Sequence, residues 1–189
     1  MGRFRVARGQ RRQSLRPQDV LELHMSGPVL NAPGFFGKLP ATGDFVSRGL
    51  SGARVAALDR WISRHVAPRG PAAAFCFLHP ALPTESTTGV VLPSRDGAGR
   101  AFPLTLAAPG GLAPAIWYAA LAEAGEAAAR GGIDADTLAA RLAAFPPPPK
   151  QGAGVQSLLL WRLGETPRAI DPEAPGAAFD RFLATTGVA

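Results

Sequence analysis

The chain has 189 residues, a hydrophobic content of 47% and a formal net charge of +6. This length and apolar content exclude wholesale disorder and predict a core that needs no disulfide or structural metal, because a domain of this size buries roughly 70% of the surface of its unfolded chain. The charge suggests a nucleic-acid or membrane partner. However, residues 1–24 carry six arginines and two acids, whereas residues 25–189 carry 14 basic and 12 acidic residues. The charge therefore gives little support to nucleic-acid binding.

The first segment, residues 1–32, is basic, lacks apolar periodicity and is interpreted as a disordered arm. Met25 offers a second start, so the alternative interpretation is that residues 1–24 are a start-site over-extension. The arginine pair at 11–12 is not followed by the apolar stretch of an export signal. The uncharged run over 101–122 contains prolines and glycines that argue against a membrane span. A cytoplasmic protein without membrane insertion is expected.

The rest of the chain is predicted to alternate strands and helices. Apolar runs bounded by proline and glycine predict strands over 35–39, 73–78, 88–92, 101–107 and 155–161. Helical spacing of apolar residues predicts helices over 53–66, 114–130, 136–145 and 177–184. Strands that are apolar on both faces need helices on both sides. The order therefore predicts an α/β fold of layered sandwich type with a mixed sheet.

Single residues refine these elements. Ser51 and Asp134 are candidate helix N-caps, and Pro103 places its strand at a sheet edge or a bulge. Cys76, between two phenylalanines, is predicted to be a buried, inert thiol, and a single cysteine excludes an intramolecular disulfide and a multi-cysteine zinc site. The three histidines lack metal-ligand spacing, and no nucleotide-binding or nucleophile motif is present. No metal or cofactor is expected.

Two polar loops are less ordinary. One holds Lys38 and Asp44 between aromatic residues, and the other holds Asp96 and Arg100 around a glycine-rich turn. On a structural interpretation these are turn residues, with Asp96 and Arg100 as an ordinary ion pair. On a functional interpretation the four side chains converge in a polar patch at one end of the sheet, where α/β folds place their sites.

These loops also carry a family resemblance through two strings of residues. The first string comprises Gly34-Phe35-Phe36-Gly37-Lys38-Leu39-Pro40 followed by Gly43-Asp44-Phe45. The second comprises Pro93, Ser94, Asp96, Gly99, Arg100, Phe102, Pro103 and Leu104. In this order and spacing they resemble the two signatures of the TagF (ImpM-type) family, which is associated with bacterial type VI secretion. The resemblance covers residues 34–183 and departs from the family pattern at Thr42, Ala101 and Trp161.

The resemblance implies a three-layer αβα sandwich, here a single domain over 33–189. It implies a non-enzymatic regulator that restrains type VI secretion after translation through protein contacts, most notably with the forkhead-associated scaffold protein. A separate PP2C-type phosphatase is a further expected partner, because some members are fused to one. The signature residues then either hold the two loops together or present a contact surface.

Two alternatives stay open at this point. A hydrolase-like enzyme would use Lys38, Asp44, Asp96 and Arg100 for acid–base work or for holding an anion. Binding of nucleic acid would use the arginine-rich arm. For the first alternative, the expected signal is a nucleophile–base pair, and the sequence shows none.

Overall fold

The computed structural model describes residues 31–150, 156–171 and 176–184, so the predicted arm up to residue 30 lies outside the described residues. In the described part, seven strands form one sheet in the order β2-β1-β5-β4-β3-β6-β7. The strands are β1 (Gly34–Gly37), β2 (Val46–Arg48), β3 (Phe75–His79), β4 (Thr87–Leu92), β5 (Leu104–Pro109), β6 (Leu158–Trp161) and β7 (Arg168–Ile170). The helices are α1 (Gly52–Trp61), α2 (Ala115–Ala129), α3 (Ala135–Ala143) and α4 (Gly176–Ala184).

The α/β class is confirmed, but the pairing within the sheet differs from the prediction. Every pair of neighbouring strands is antiparallel, where a mixed sheet was expected. The reason lies in the connections. Strands β3, β4 and β5 follow one another directly, and two helices rather than one separate β5 from β6. The chain therefore re-enters the sheet in the direction opposite to β5, and β6 pairs antiparallel with β3.

Helices cover both faces of the sheet. Successive side chains of β3 alternate, with Cys76 and Leu78 in the core cluster that contains α2 and α3, and Phe75 and Phe77 in the cluster that contains α1 and α4. All four are fully buried. Burial raises the pKa of the Cys76 thiol to about 12, so the thiol is inert at neutral pH, as predicted. The two clusters give the helix, sheet and helix layers of a sandwich.

Both predicted helix caps are confirmed. The backbone N–H of Arg54 donates to Ser51 Oγ (3.3 Å), and that of Thr137 donates to Asp134 Oδ1 (2.8 Å). The helix predicted over 53–66 is α-helical only to Trp61 and continues as a π-helix over Ile62–Val66. Apolar spacing cannot reveal this change, because the buried face is continuous through it.

Two strands were missed and one was placed wrongly. The missed strands β2 and β7 have three residues each, too few for alternation to be visible in the sequence. The strand predicted over 101–107 was expected at a sheet edge or a bulge because of Pro103. It begins after Pro103, at Leu104, and lies between β1 and β4 inside the sheet. A proline just before a strand removes no ladder hydrogen bond, so an internal position is permitted.

Candidate interaction site

The two polar loops meet because β1 and β5 are neighbours. The Lys38 loop (residues 38–45) leaves the end of β1, and the Asp96 loop (residues 93–103) leads into the start of β5. Since these strands are antiparallel, with Phe36 opposite Thr105, the end of one lies beside the start of the other. Two of the hydrogen bonds that join the loops involve backbone carbonyls of the Lys38 loop and lie outside the charged groups. Ser94 Oγ donates to the Lys38 carbonyl (2.7 Å), and the Gly97 N–H donates to the Thr42 carbonyl (3.1 Å).

The Asp96 carboxylate is the centre of the site and is fully buried. Its Oδ2 accepts from Lys38 Nζ (2.9 Å) and Arg100 Nε (2.7 Å), and its Oδ1 accepts from the N–H groups of Ala98 (3.0 Å) and Arg100 (2.9 Å). The Lys38 hydrogen bond above all, and then those of Arg100 and Ala98, hold the pKa of Asp96 far below its ordinary value despite the opposing effect of burial. Asp96 is therefore ionised, and its acceptor positions are occupied.

Arg100 extends this centre to the surface. Its Nη2 donates to the carbonyl of Gly43 (2.7 Å), so one guanidinium bridges the Asp96 loop and the Lys38 loop. The side chain is nevertheless 61% exposed. Arginine suits this role because its planar fork holds two acceptors at fixed angles.

Of the four polar side chains that the functional interpretation grouped, the structure joins three. Among the described residues, Asp44 has no hydrogen bond or ion pair with the other three. Its Oδ1 accepts from the N–H of Phe45 (2.8 Å) at an exposed position, which is an ordinary loop contact. Asp44 shapes its own loop, while Asp96 alone neutralises the two cations.

Phe45 covers the cluster from the solvent side. Its ring stacks on Phe36 (centroids 5.6 Å apart) and meets the edge of Phe102 at 4.7 Å. Lys38 Nζ lies 5.1 Å from the centre of the same ring, within the range of a cation–π contact. Phe45 is still 47% exposed. It therefore contributes both to the cluster and to the surface.

The glycines and prolines of the signatures differ in what they do. Gly37 has φ +147°, and a Cβ there would come 2.3 Å from the carbonyl oxygen of Pro103, so only glycine fits. Gly99 has φ +80° in the turn that carries the Asp96 contacts. Gly43 has open space around it, and only its carbonyl is used. Pro40, Pro93 and Pro103 line a hollow of about 670 Å³ beside the Asp96 loop.

Sequence reasoning missed a second buried cation, Arg54. Its Nη2 donates to Glu85 Oε1 (2.6 Å) and its Nε donates to Thr87 Oγ1 (3.3 Å), which ties α1 to the start of β4. An arginine in a helix near its N-cap carries no signal of burial, because its partners are more than 30 residues away along the chain. Within the described ranges, no group of three His, Cys, Asp or Glu residues is placed to hold a metal ion. No described helix is both long and apolar enough to span a membrane.

A family model matches the segment that contains the Lys38 loop. The TagF N-terminal domain, described as type VI secretion system-associated, matches residues 34–70. The resemblance to the TagF family is confirmed. The matched segment includes the whole Lys38 loop, α1 and the π-helix, and it ends before the Asp96 loop. The protein is therefore associated with type VI secretion.

A solved structure is similar to this chain over a longer stretch. The fold is similar to the crystal structure of PA0076 from Pseudomonas aeruginosa PAO1, with a TM-score of 0.63 and 25% sequence identity. The similarity covers 84% of this chain and 96% of that one. No curated protein matches the sequence. The similarity in fold thus extends well beyond the segment that the family model matches.

Proposed function

We propose that this TagF-like protein is a non-enzymatic, cytoplasmic accessory protein that restrains assembly of the type VI secretion system after translation, through protein contacts. The observation that carries the proposal is the state of Asp96. It is buried, ionised and saturated by hydrogen bonds from Lys38, Ala98 and Arg100. A carboxylate held in this way fixes the shape of a surface and leaves no lone pair for a reacting group.

The same observation argues against the hydrolase-like alternative. A general base needs a pKa near the working pH and access to the proton that it removes. The pKa of Asp96 is displaced away from neutrality, and its side chain has no exposed surface. Asp44 is exposed but is bonded to its own loop. The Lys38, Asp96 and Arg100 cluster is thus better suited to structure than to catalysis.

The surface that the cluster supports has the character of a protein contact. Phe45 is half exposed and Arg100 is largely exposed, and both are held by several contacts below. Aromatic and arginine side chains are enriched at the centres of protein interfaces. Because these side chains are already held in place, less conformational entropy is lost when a partner binds. We propose the forkhead-associated scaffold protein of the same secretion system as the partner, and a separate PP2C-type phosphatase as a second component.

Co-purification with the forkhead-associated protein tests the partner. We expect the intact chain to retain it and Arg100→Ala to retain it less, because Arg100 shapes and forms part of the surface. No retention by the intact chain would contradict the proposed partner.

Deletion of the gene tests the direction of regulation. We expect more type VI secretion in the deletion strain, with the original level restored by the intact gene. Unchanged secretion would count against restraint. A gene that starts at Met25 should restore regulation fully if residues 33–189 act as a single domain and the basic arm is dispensable.

A further inference from the structure

The hairpin that carries Asp96 extends beyond the neighbouring strand. The last pair between β3 and β4 is Phe75 opposite Val91, whereas the hairpin continues to a bridge between Arg95 and Ala101. The bridge is closed by hydrogen bonds from Asp96 N–H to the Arg100 carbonyl and from Phe102 N–H to the Ser94 carbonyl (both 3.1 Å). In this pattern Arg95 and Ala101 form a non-hydrogen-bonded pair, so their own N–H and C=O groups point outward.

The Arg95 backbone is therefore an open strand edge. Within the described part of the chain, no hydrogen bond uses the N–H or the C=O of Arg95, and the residue is exposed. Unpaired edges of this kind are templates for another strand. The edge is short, so it does not recruit strands without additional contacts from side chains.

A groove runs beside this edge. The hollow of about 670 Å³, here called the Arg95 groove, is shared by the Asp96 loop and the turn at 67–71. A second hollow of about 370 Å³ shares Pro93 and Ala129 with it and lengthens it toward the start of β3. Several lining residues of the Arg95 groove are glycine or alanine, so another main chain can approach closely; they are Ala67, Gly70, Gly97, Gly99, Ala101 and Ala129.

The accessible charge of the groove is positive. Asp96 lines it but is fully buried and neutralised by Lys38 and Arg100. Arg95 is exposed, with one N–H of its guanidinium donated to the Gly99 carbonyl (3.0 Å). In the adjoining hollow, Glu126 and Arg130 pair with each other at 3.0 Å and contribute no net charge. The groove therefore favours carboxylates.

We infer that the Arg95 groove binds an extended acidic segment of a partner protein. The segment adds as a strand to the open edge at Arg95, and one of its carboxylates meets the guanidinium group of Arg95. The Asp96 cluster holds the hairpin in the conformation that exposes the Arg95 edge before the segment binds. This inference rests on the proposed function, because it identifies the surface through which the partner is held.

Two charge reversals test the assignment with the forkhead-associated protein of the same system as the probe. Binding is measured by calorimetry for the full chain, for Arg95→Glu and for Arg141→Glu. Arg141 is the matched control, because it is exposed in the last turn of α3 beside a different, proline-lined hollow. We expect Arg95→Glu to weaken binding at least about tenfold and Arg141→Glu to change it less than about twofold. The thermal midpoints of the free variants show that both are folded.

Amide hydrogen exchange tests the strand addition separately from the charge. We expect the Arg95 N–H to exchange rapidly in the free protein and to become protected in the complex. Binding that Arg95→Glu leaves unchanged, binding that only Arg141→Glu weakens, or an Arg95 amide that stays unprotected would overturn the groove assignment while the proposed function stands. Failure of the unaltered chain to bind would overturn the proposed partner and this inference with it.

Discussion

The two ends of β4 are each tied to a distant part of the chain by a carboxylate and a basic side chain, but they differ in burial. At the end of the strand, Asp96 is fully buried between Lys38 and Arg100. At the start, Glu85 is 61% exposed and holds the buried Arg54 from outside. The comparison separates two uses of an ion pair. The Asp96 end fixes one arrangement of two loops, while the Arg54 end fastens a helix at the surface.

The largest effect is expected from removing the buried carboxylate. Asp96→Ala leaves the Lys38 ammonium buried without a counter-charge, and it leaves the N–H groups of Ala98 and Arg100 without their acceptor. Breaking a buried pair of this kind costs about 3–5 kcal/mol. The free energy of unfolding in urea measures the loss. Glu85→Ala is the matched control, and an equal loss for both variants would show that burial does not distinguish the two ends.

Acid is expected to act on the start of β4 before it acts on the end. His79 lies opposite Thr87, and burial lowers its pKa from 6.5 to about 4. Between these values the unfolded chain binds more protons than the folded one, so stability is full above about pH 6.5 and falls toward pH 4, by on the order of 3 kcal/mol. The depressed pKa of Asp96 also makes the protein less stable as the pH falls, and this loss of stability begins below about pH 4.

Urea unfolding at a series of pH values measures this dependence. The reference variant is His79→Asn, whose amide oxygen can replace Nδ1 as the acceptor for the Ala81 N–H. We expect the variant to be less stable overall and to show a flatter slope between pH 6.5 and 4. An unchanged slope would mean that His79 is protonated in the folded protein.

A smaller effect is expected from Glu85→Ala. The variant loses the 2.6 Å contact to Arg54, but Arg54 keeps its bond to Thr87, and solvent already screens the carboxylate. We expect a loss of about 1 kcal/mol, reduced further by 0.5 M salt. A loss of stability as large as that of Asp96→Ala would show that the Glu85–Arg54 pair behaves as a buried ion pair.

The smallest effect on stability is expected from Phe45→Ala. The ring is half exposed, and its contacts with Phe36 and Phe102 contribute about 1 kcal/mol. Partner binding should fall much more than stability, because the ring belongs to the proposed contact surface. Phe45→Leu, which keeps an apolar side chain, should restore part of the binding. Equal binding by the unaltered chain, Phe45→Ala and Phe45→Leu would show that Phe45 is not part of the contact surface.

The sequence predicted the Asp96 end better than the Arg54 end. Lys38, Asp96 and Arg100 stand in strings that combine turn residues with a family resemblance, so they were visible without a structure. Arg54 stands in a helical pattern that suits any exposed arginine. Asp44 shows the limit of reasoning from signature strings. It lies in the same loop as Lys38 and was grouped with the cluster, but its side chain bonds to the N–H of Phe45 instead.

The sequence by itself determined what depends on local or periodic patterns. These are the strands that are apolar on both faces, the N-caps Ser51 and Asp134, the burial of Cys76 and the two signature loops. Tertiary structure alone decided the antiparallel pairing, the internal place of β5, and the contact between Lys38 and Asp96 across 58 residues. The physical reason is that strand pairing and register depend on where, and in which direction, each connection brings the chain back into the sheet. The electrostatic state of Asp96 depends on that return, because the hydrogen bond from Lys38 has the largest effect and the nearby Ala98 and Arg100 add to it.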